Sequence, residues 1–169
     1  MPRLPFVLAL LILSACGSGR VGTSSGISTT LECVPYARQL SGIQLHGDAH
    51  TWWDQAPGHY DRSSRPMPGG VLVFRRTGRL QSGHVSVVRQ VVSDREITVS
   101  QANWVRRRIT RDEPVVDVSP GNDWTTVRVW WEPSRSLGTS TYSTYGFIAP
   151  NRAGPSRSDL IAGLNVPPR

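Results

Sequence analysis

From residue 71 onward, apolar and polar positions alternate with a period of two in four runs. These are "VLVF" (71–74), "HVSVV" (84–88), "EITVSQANW" (96–104) and "TVRVWW" (126–131), each bounded by turn residues such as Thr77-Gly78 and Ser93-Asp94. Ahead of them the pattern is helical. "LECVPYARQLSG" (31–42) reads as a short helix: Thr30 can cap it, and Glu32 sits in its first turn. Pro35 is tolerated near the start, where its missing N–H has no intrahelical partner, and Gly42 stops the run. "DAHTWWDQA" (48–56) reads as a second helix, capped by Asp48 and stopped by Pro57-Gly58, followed by the Pro-rich loop "HYDRSSRPMPGG". Helices first and an antiparallel sheet afterwards predict an α+β fold, with the N-terminal helices packed on one sheet face. That layout sets the start of a helix against the ends of strands.

The first residues follow neither pattern. One positive charge at Arg3, the apolar run from Leu4 to Leu13 and then small residues make a secretory signal, too short to span a bilayer of ~30 Å. Its end, Leu13-Ser14-Ala15-Cys16, resembles the lipobox of bacterial lipoproteins. The resemblance implies that residues 1–16 hold the signal, with cleavage before an acylated Cys16. Gly17, where an Asp would favour the inner membrane, implies the periplasmic face of the outer membrane. The alternative is an ordinary signal peptide with a chance cysteine. "GSGRVGTSSGISTT" (17–30) has linker composition and reads as a flexible tether with a reach of a few tens of Å, about 5 to 6 Å times the square root of its length. The remainder is expected to be one compact domain over 31–150 and a loosely ordered, Gly- and Pro-rich tail over 151–169. The chain of 169 residues, 38% of them hydrophobic and six of them Trp, has enough apolar matter for such a core. All nineteen basic residues are Arg, against twelve acids, so the surface should be attracted to polyanions. For an exported chain the expected polyanion is an envelope polymer or membrane; no nucleic-acid partner is expected.

Only two cysteines are present, and lipidation of Cys16 leaves Cys33 without a disulfide partner. At a helix start, the dipole and the unpaired N–H groups favour the thiolate, the form that attacks carbonyls. A small buried core residue is the equally weighted alternative on this stretch alone. The strands add the rest of a reactive set. His84 opens one strand, while Gln101 and Asn103, two apart, are expected on one face of the next. A hairpin register pairing strand start with strand end makes His84 and Asn103 cross-strand neighbours. Cys33, His84 and Asn103 are then the thiolate, general base and orienting amide of a papain-like nucleophilic site.

Five motifs in order resemble the CHAP domain, the cysteine- and histidine-dependent amidohydrolase/peptidase module related to the NlpC/P60 and papain-like folds. They are "ECVPYARQLSGI" around the nucleophile, "GDAHTWW", "PMPGGVLVF", "SGHVSVV" around the base, and "VSQANW". "STYGFIAP" resembles the closing strand of such proteins. Two positions depart from the family pattern: Gly70 where Asp is frequent, and Gln101 where Glu is frequent. Because an amide only orients an imidazole whereas a carboxylate also raises its basicity, the orienting role is expected of Asn103, with Gln101 supporting. The resemblance implies attack by Cys33 on an amide carbonyl and proton transfer by His84. The oxyanion is met by the Cys33 N–H, with Tyr36 a candidate helper; aromatic packing is the favoured reading of Tyr36.

Other clusters read more simply. His46, His50, Asp54 and His59 are close in sequence, but Gly47 and the cap at Asp48 break the helix that would align them, and no metal or other cofactor is expected. "VRRRITRD" (105–112) reads as a solvated strand and turn, with contact to lipid or an anionic wall polymer as the alternative. In "WTTVRVWW" a core strand is favoured over an aromatic platform for sugar. Export, tethering and an amide-cleaving site together predict a peptidoglycan hydrolase acting on stem-peptide amides, as N-acetylmuramoyl-L-alanine amidase or endopeptidase. The rivals are a catalytically silent envelope lipoprotein that binds wall peptides or a regulator, and an amidase of the same fold acting on another amide.

Overall fold

A computed structural model describes residues 31–150. The signal, the lipobox Cys16, the tether, the Thr30 cap and the C-terminal tail lie outside the described residues. The first helix, α1, runs Cys33–Ser41 and ends at Gly42, whose φ of 77° allows its N–H to bond the Arg38 carbonyl at 3.0 Å. Glu32 is the N-cap itself rather than a first-turn residue, and its side chain makes no cap bond. The second predicted helix is present as a 3₁₀ turn, Ala49–Thr51, running into the four-residue α2, Trp52–Gln55.

Most of the described residues that have regular structure are strands. They are β1 (Arg62–Ser63), β2 (Val71–Phe74), β3 (His84–Ser93), β4 (Glu96–Ala102), β5 (Ile109–Asp117), β6 (Thr126–Trp131), β7 (Ser136–Leu137) and β8 (Tyr142–Ile148). The pairing is antiparallel throughout. β8 pairs with both β2 and β6, so β2-β3-β4-β5-β6-β8 close on themselves into a barrel, with the two-residue strands β1 and β7 added outside. Closure removes the sheet edges that would otherwise expose unpaired backbone.

Alternation along the strands separates two cores. Leu72, Phe74, Val88, Ile97, Val99, Val115, Trp124, Val127, Val129 and Phe147 fill the barrel. Their neighbours Val71, Val73, Val85 and Val87 face outward, where Ala37 of α1, Ile43, Leu45, Ala49, Trp52 and Ala56 cover them. β2 is therefore buried on both faces and reads as an unbroken apolar run. The helical layer lies over β3 and β4 and sets Cys33 at the start of β3. The sequence reading reached only the first part of β5, as the solvated strand and turn over 105–112, and not its continuation to Asp117. The inward positions of β5 include Thr110, Glu113 and Asp117 as well as Val115, so its hydrophobic alternation is disguised.

Candidate active site

The Cys33 thiol is half-buried at the first position of α1 and lies against the backbone N–H of Val85, the residue after His84. Burial pushes the thiol above its usual pKa, and the charge of Glu32 pushes the same way. The N–H groups of Val85, Val34 and Cys33 itself pull it down, but burial prevails. The helix start supplies donors to the sulfur, as the thiolate reading expected, but desolvation outweighs them and favours the protonated form.

His84 points into the barrel end, 4% exposed, with its ring centroid 5.0 Å from that of Trp104 and 5.5 Å from that of Phe74. This apolar cover lowers its pKa to about 4, against a smaller upward effect from Gln101. At neutral pH the ring is uncharged. Its Nε2 lies 3.0 Å from Gln101 Oε1. Since Oε1 can only accept, Nε2 carries the proton and the lone pair falls on Nδ1, the nitrogen left free to act as base.

The orienting partner of His84 is Gln101, which corrects the assignment to Asn103. Continued from Val87↔Ser100, the β3–β4 register sets Gln101 opposite Ser86 and position 103 opposite His84, as the hairpin reading required. β4 ends at Ala102, however, and Asn103 has φ of 62°, a left-handed conformation that turns its side chain off the strand face. There its Nδ2 donates to Glu32 Oε2 at 3.1 Å and its Oδ1 accepts the Arg107 N–H at 2.9 Å. Asn103 fastens the turn after β4 to the start of α1 and leaves the His84 imidazole to Gln101.

Gln101 is fully buried and held at both ends of its amide. Oε1 accepts from the Ser86 hydroxyl at 2.6 Å as well as from His84, and Nε2 donates to Glu113 Oε2 at 3.1 Å. Thr110 Oγ1 donates to the same Glu113 oxygen at 2.5 Å. Ser86, Thr110, Glu113 and the covering Trp104 escaped the sequence reading. The signal for Glu113 was a carboxylate at an inward position in the middle of "ITRDEPVVD", visible only once that run is read as a strand. Tyr36 is buried on α1, in keeping with the packing reading. His50 Nδ1 lies 3.2 Å from the Ser82 carbonyl in the loop before β3. Among the described residues, no group of three or more His, Cys, Asp or Glu side chains is arranged to hold a metal ion. Arg106, Arg107, Arg108 and Arg111 are exposed, and Arg108 pairs with Glu132 at 2.5 Å.

A family model for the CHAP domain matches residues 22–103. The match begins inside the segment read as a tether and stops where β4 gives way to the Asn103 turn. No curated protein matches the chain. Among solved structures, an N-acetylmuramoyl-L-alanine amidase from Staphylococcus aureus aligns with a TM-score of 0.43 and 24% identity, over 67% of this chain and 30% of that one. Ly7917, solved with the hydrolyzing product of MDP, aligns with a TM-score of 0.36 and 16% identity, over 72% and 55%. The chain therefore spans less than two thirds of the length of either structure.

Proposed function

We propose, for a chain whose residues 22–103 match the CHAP domain family model, that it is a peptidoglycan hydrolase cleaving a stem-peptide amide by a thiol mechanism run by Cys33, His84 and Gln101. The observation that carries this reading is the His84 Nε2 to Gln101 Oε1 bond, one residue before Val85, whose N–H meets the helix-start thiol, since it fixes the tautomer a general base needs. A nucleophile helix laid outside a closed barrel, with the base at the barrel end, supports the papain-like affiliation.

Both groups rest neutral, so attack is general-base catalysed. As Cys33 Sγ bonds to the carbonyl carbon, its proton moves to His84 Nδ1. Gln101 Oε1, accepting from Nε2, stabilises the imidazolium that forms. The Cys33 backbone N–H meets the oxyanion, with Tyr36 on the next turn as the candidate second group. The tetrahedral intermediate then breaks its C–N bond, and Nδ1 returns the proton to the leaving amine. Water, deprotonated by Nδ1, attacks the thioester and releases the acid and the free thiol.

Residues 1–30 complete the proposal. An acylated Cys16 anchors the domain to the outer membrane, and the tether brings it to the wall; replacing Cys16 with Ser should move the protein to the soluble periplasmic fraction. The activity is tested by digesting purified sacculi with the full chain and weighing the fragments by mass spectrometry. Products with a newly freed stem-peptide amine support the proposal and identify the bond. Intact sacculi would instead leave a wall-peptide-binding lipoprotein as the better reading.

A further inference from the structure

The Gln101 amide could occupy its place in two orientations, and only one of them serves the base. With Oε1 toward His84, the ring keeps its proton on Nε2 and its lone pair on Nδ1. With the NH₂ toward His84, Nε2 would have to accept, the proton would move to Nδ1, and the ring could not take a proton from Cys33. Neither neighbour on the His84 side forbids the second arrangement, because a hydroxyl such as that of Ser86 donates or accepts by rotating. The choice is made on the far side, where the Gln101 NH₂ meets Glu113 Oε2 at 3.1 Å. A carboxylate oxygen there accepts and offers nothing to Gln101 Oε1. Glu113 is itself 6% exposed and receives the Thr110 hydroxyl at the same oxygen.

We infer that Glu113, on β5, is a positioning residue that sets the tautomer of His84 through the amide of Gln101, with Thr110 holding the carboxylate in place. The pair also accounts for the amide at position 101. A second carboxylate there would face Glu113 across the same short contact, and two like charges that close cannot both stand ionised in a buried site. Acid on β5 and amide on β4 form one complementary pair, and exchanging the two keeps an acceptor toward His84 Nε2.

The inference rests on the proposed hydrolase only for its catalytic consequence; the tautomer is observable without substrate. The imidazole nitrogens of His84 are followed by ¹⁵N NMR at neutral pH in the full chain, as wild type, Glu113→Gln and Gln101→Glu/Glu113→Gln, alongside kcat on sacculi. The wild type should show His84 protonated on Nε2. Glu113→Gln replaces the acceptor with a group that pairs with either amide orientation, so the Nδ1–H form should appear and kcat should fall about tenfold with KM little changed. The double variant returns one acid and one amide to the contact and should restore the Nε2–H form and most of kcat. Should Glu113→Gln fail to fold, Thr110→Val, which frees the Glu113 carboxylate while leaving Gln101 in place, is read instead, and an unchanged His84 spectrum there likewise overturns the inference. An unchanged His84 spectrum in Glu113→Gln, or a mixed tautomer in a folded double variant, overturns the inference. A tautomer change in a chain that never cleaves sacculi upholds it and sinks the hydrolase reading instead.

Discussion

Asn103 and Gln101 show how much a single backbone angle decides. Both are amides, two residues apart, and the register of β3 and β4 sets position 103 opposite His84. The left-handed φ of 62° at Asn103 removes it from the strand, and the His84 imidazole is left to the diagonal neighbour Gln101. Positive φ is uncommon outside glycine but least costly for Asn and Asp, so the sequence permitted this turn without announcing it. Kinetics on one defined muropeptide should therefore rank the two substitutions. Gln101→Ala frees the imidazole and should lower kcat on the order of 100-fold. Asn103→Ala loosens the tie to Glu32 and Arg107 and should cost less, appearing mainly as reduced stability. The reverse ranking would return Asn103 to the role of orienting partner. At the same scale, His84 must be neutral to accept a proton. With its pKa lowered to about 4, kcat/KM should hold as pH falls through 6.5 and decline only near pH 4.

At the scale of elements, β2 and β6 lie where the alternation predicted them, and the segment "VRRRITRD" divides between the turn after β4 and the start of β5. The two helical segments were legible from their punctuation, Pro35 and Gly42 for the first, Pro57-Gly58 for the second. The length of α2 was not, because its stability comes from burying Trp52 and not from its own few hydrogen bonds. The later part of β5 hid behind the charged run Arg111, Asp112 and Glu113 and the strand-disfavouring Pro114, although Glu113 points inward beside Gln101. The turn before β3 is another element-level constraint on the site. Gly83 has φ of 72°, and a Cβ there would come within 2.7 Å of the His50 nitrogen and 2.8 Å of the Phe74 carbonyl oxygen. Both are backbone atoms that cannot swing aside. Gly83→Ala should therefore destabilise the fold by about 1 to 3 kcal/mol and displace His84, lowering kcat more than the stability loss alone would. Chemical denaturation paired with kinetics checks this; a variant with wild-type stability and rate would show the approach to be slack.

For the molecule as a whole, the burial that tunes the site also makes folding depend on pH. His84 has its ordinary pKa of about 6.5 when unfolded and about 4 when folded, so the unfolded chain binds the proton first as pH falls. The stability is fully present above pH 6.5 and is lost progressively down to pH 4, by about 3 kcal/mol for this one group. His84→Gln, which cannot titrate, should flatten the difference in unfolding free energy between pH 7 and pH 4 by that amount; an equally steep wild-type and variant curve would place the titration elsewhere.

The barrel and its helical cover are assembled from elements the alternation and turn residues made mostly legible. The polar relay inside the barrel end is set by tertiary register and could not be read from spacing. What the relay, the neutral imidazole and the helix-start thiol have in common is a single expected reaction. The most direct test of it compares wild type with Cys33→Ala on purified sacculi at equal concentration, after both are shown to melt alike. The account predicts release of amine-bearing wall fragments by the wild type and none above background by the variant; release at the wild-type rate by Cys33→Ala would contradict it.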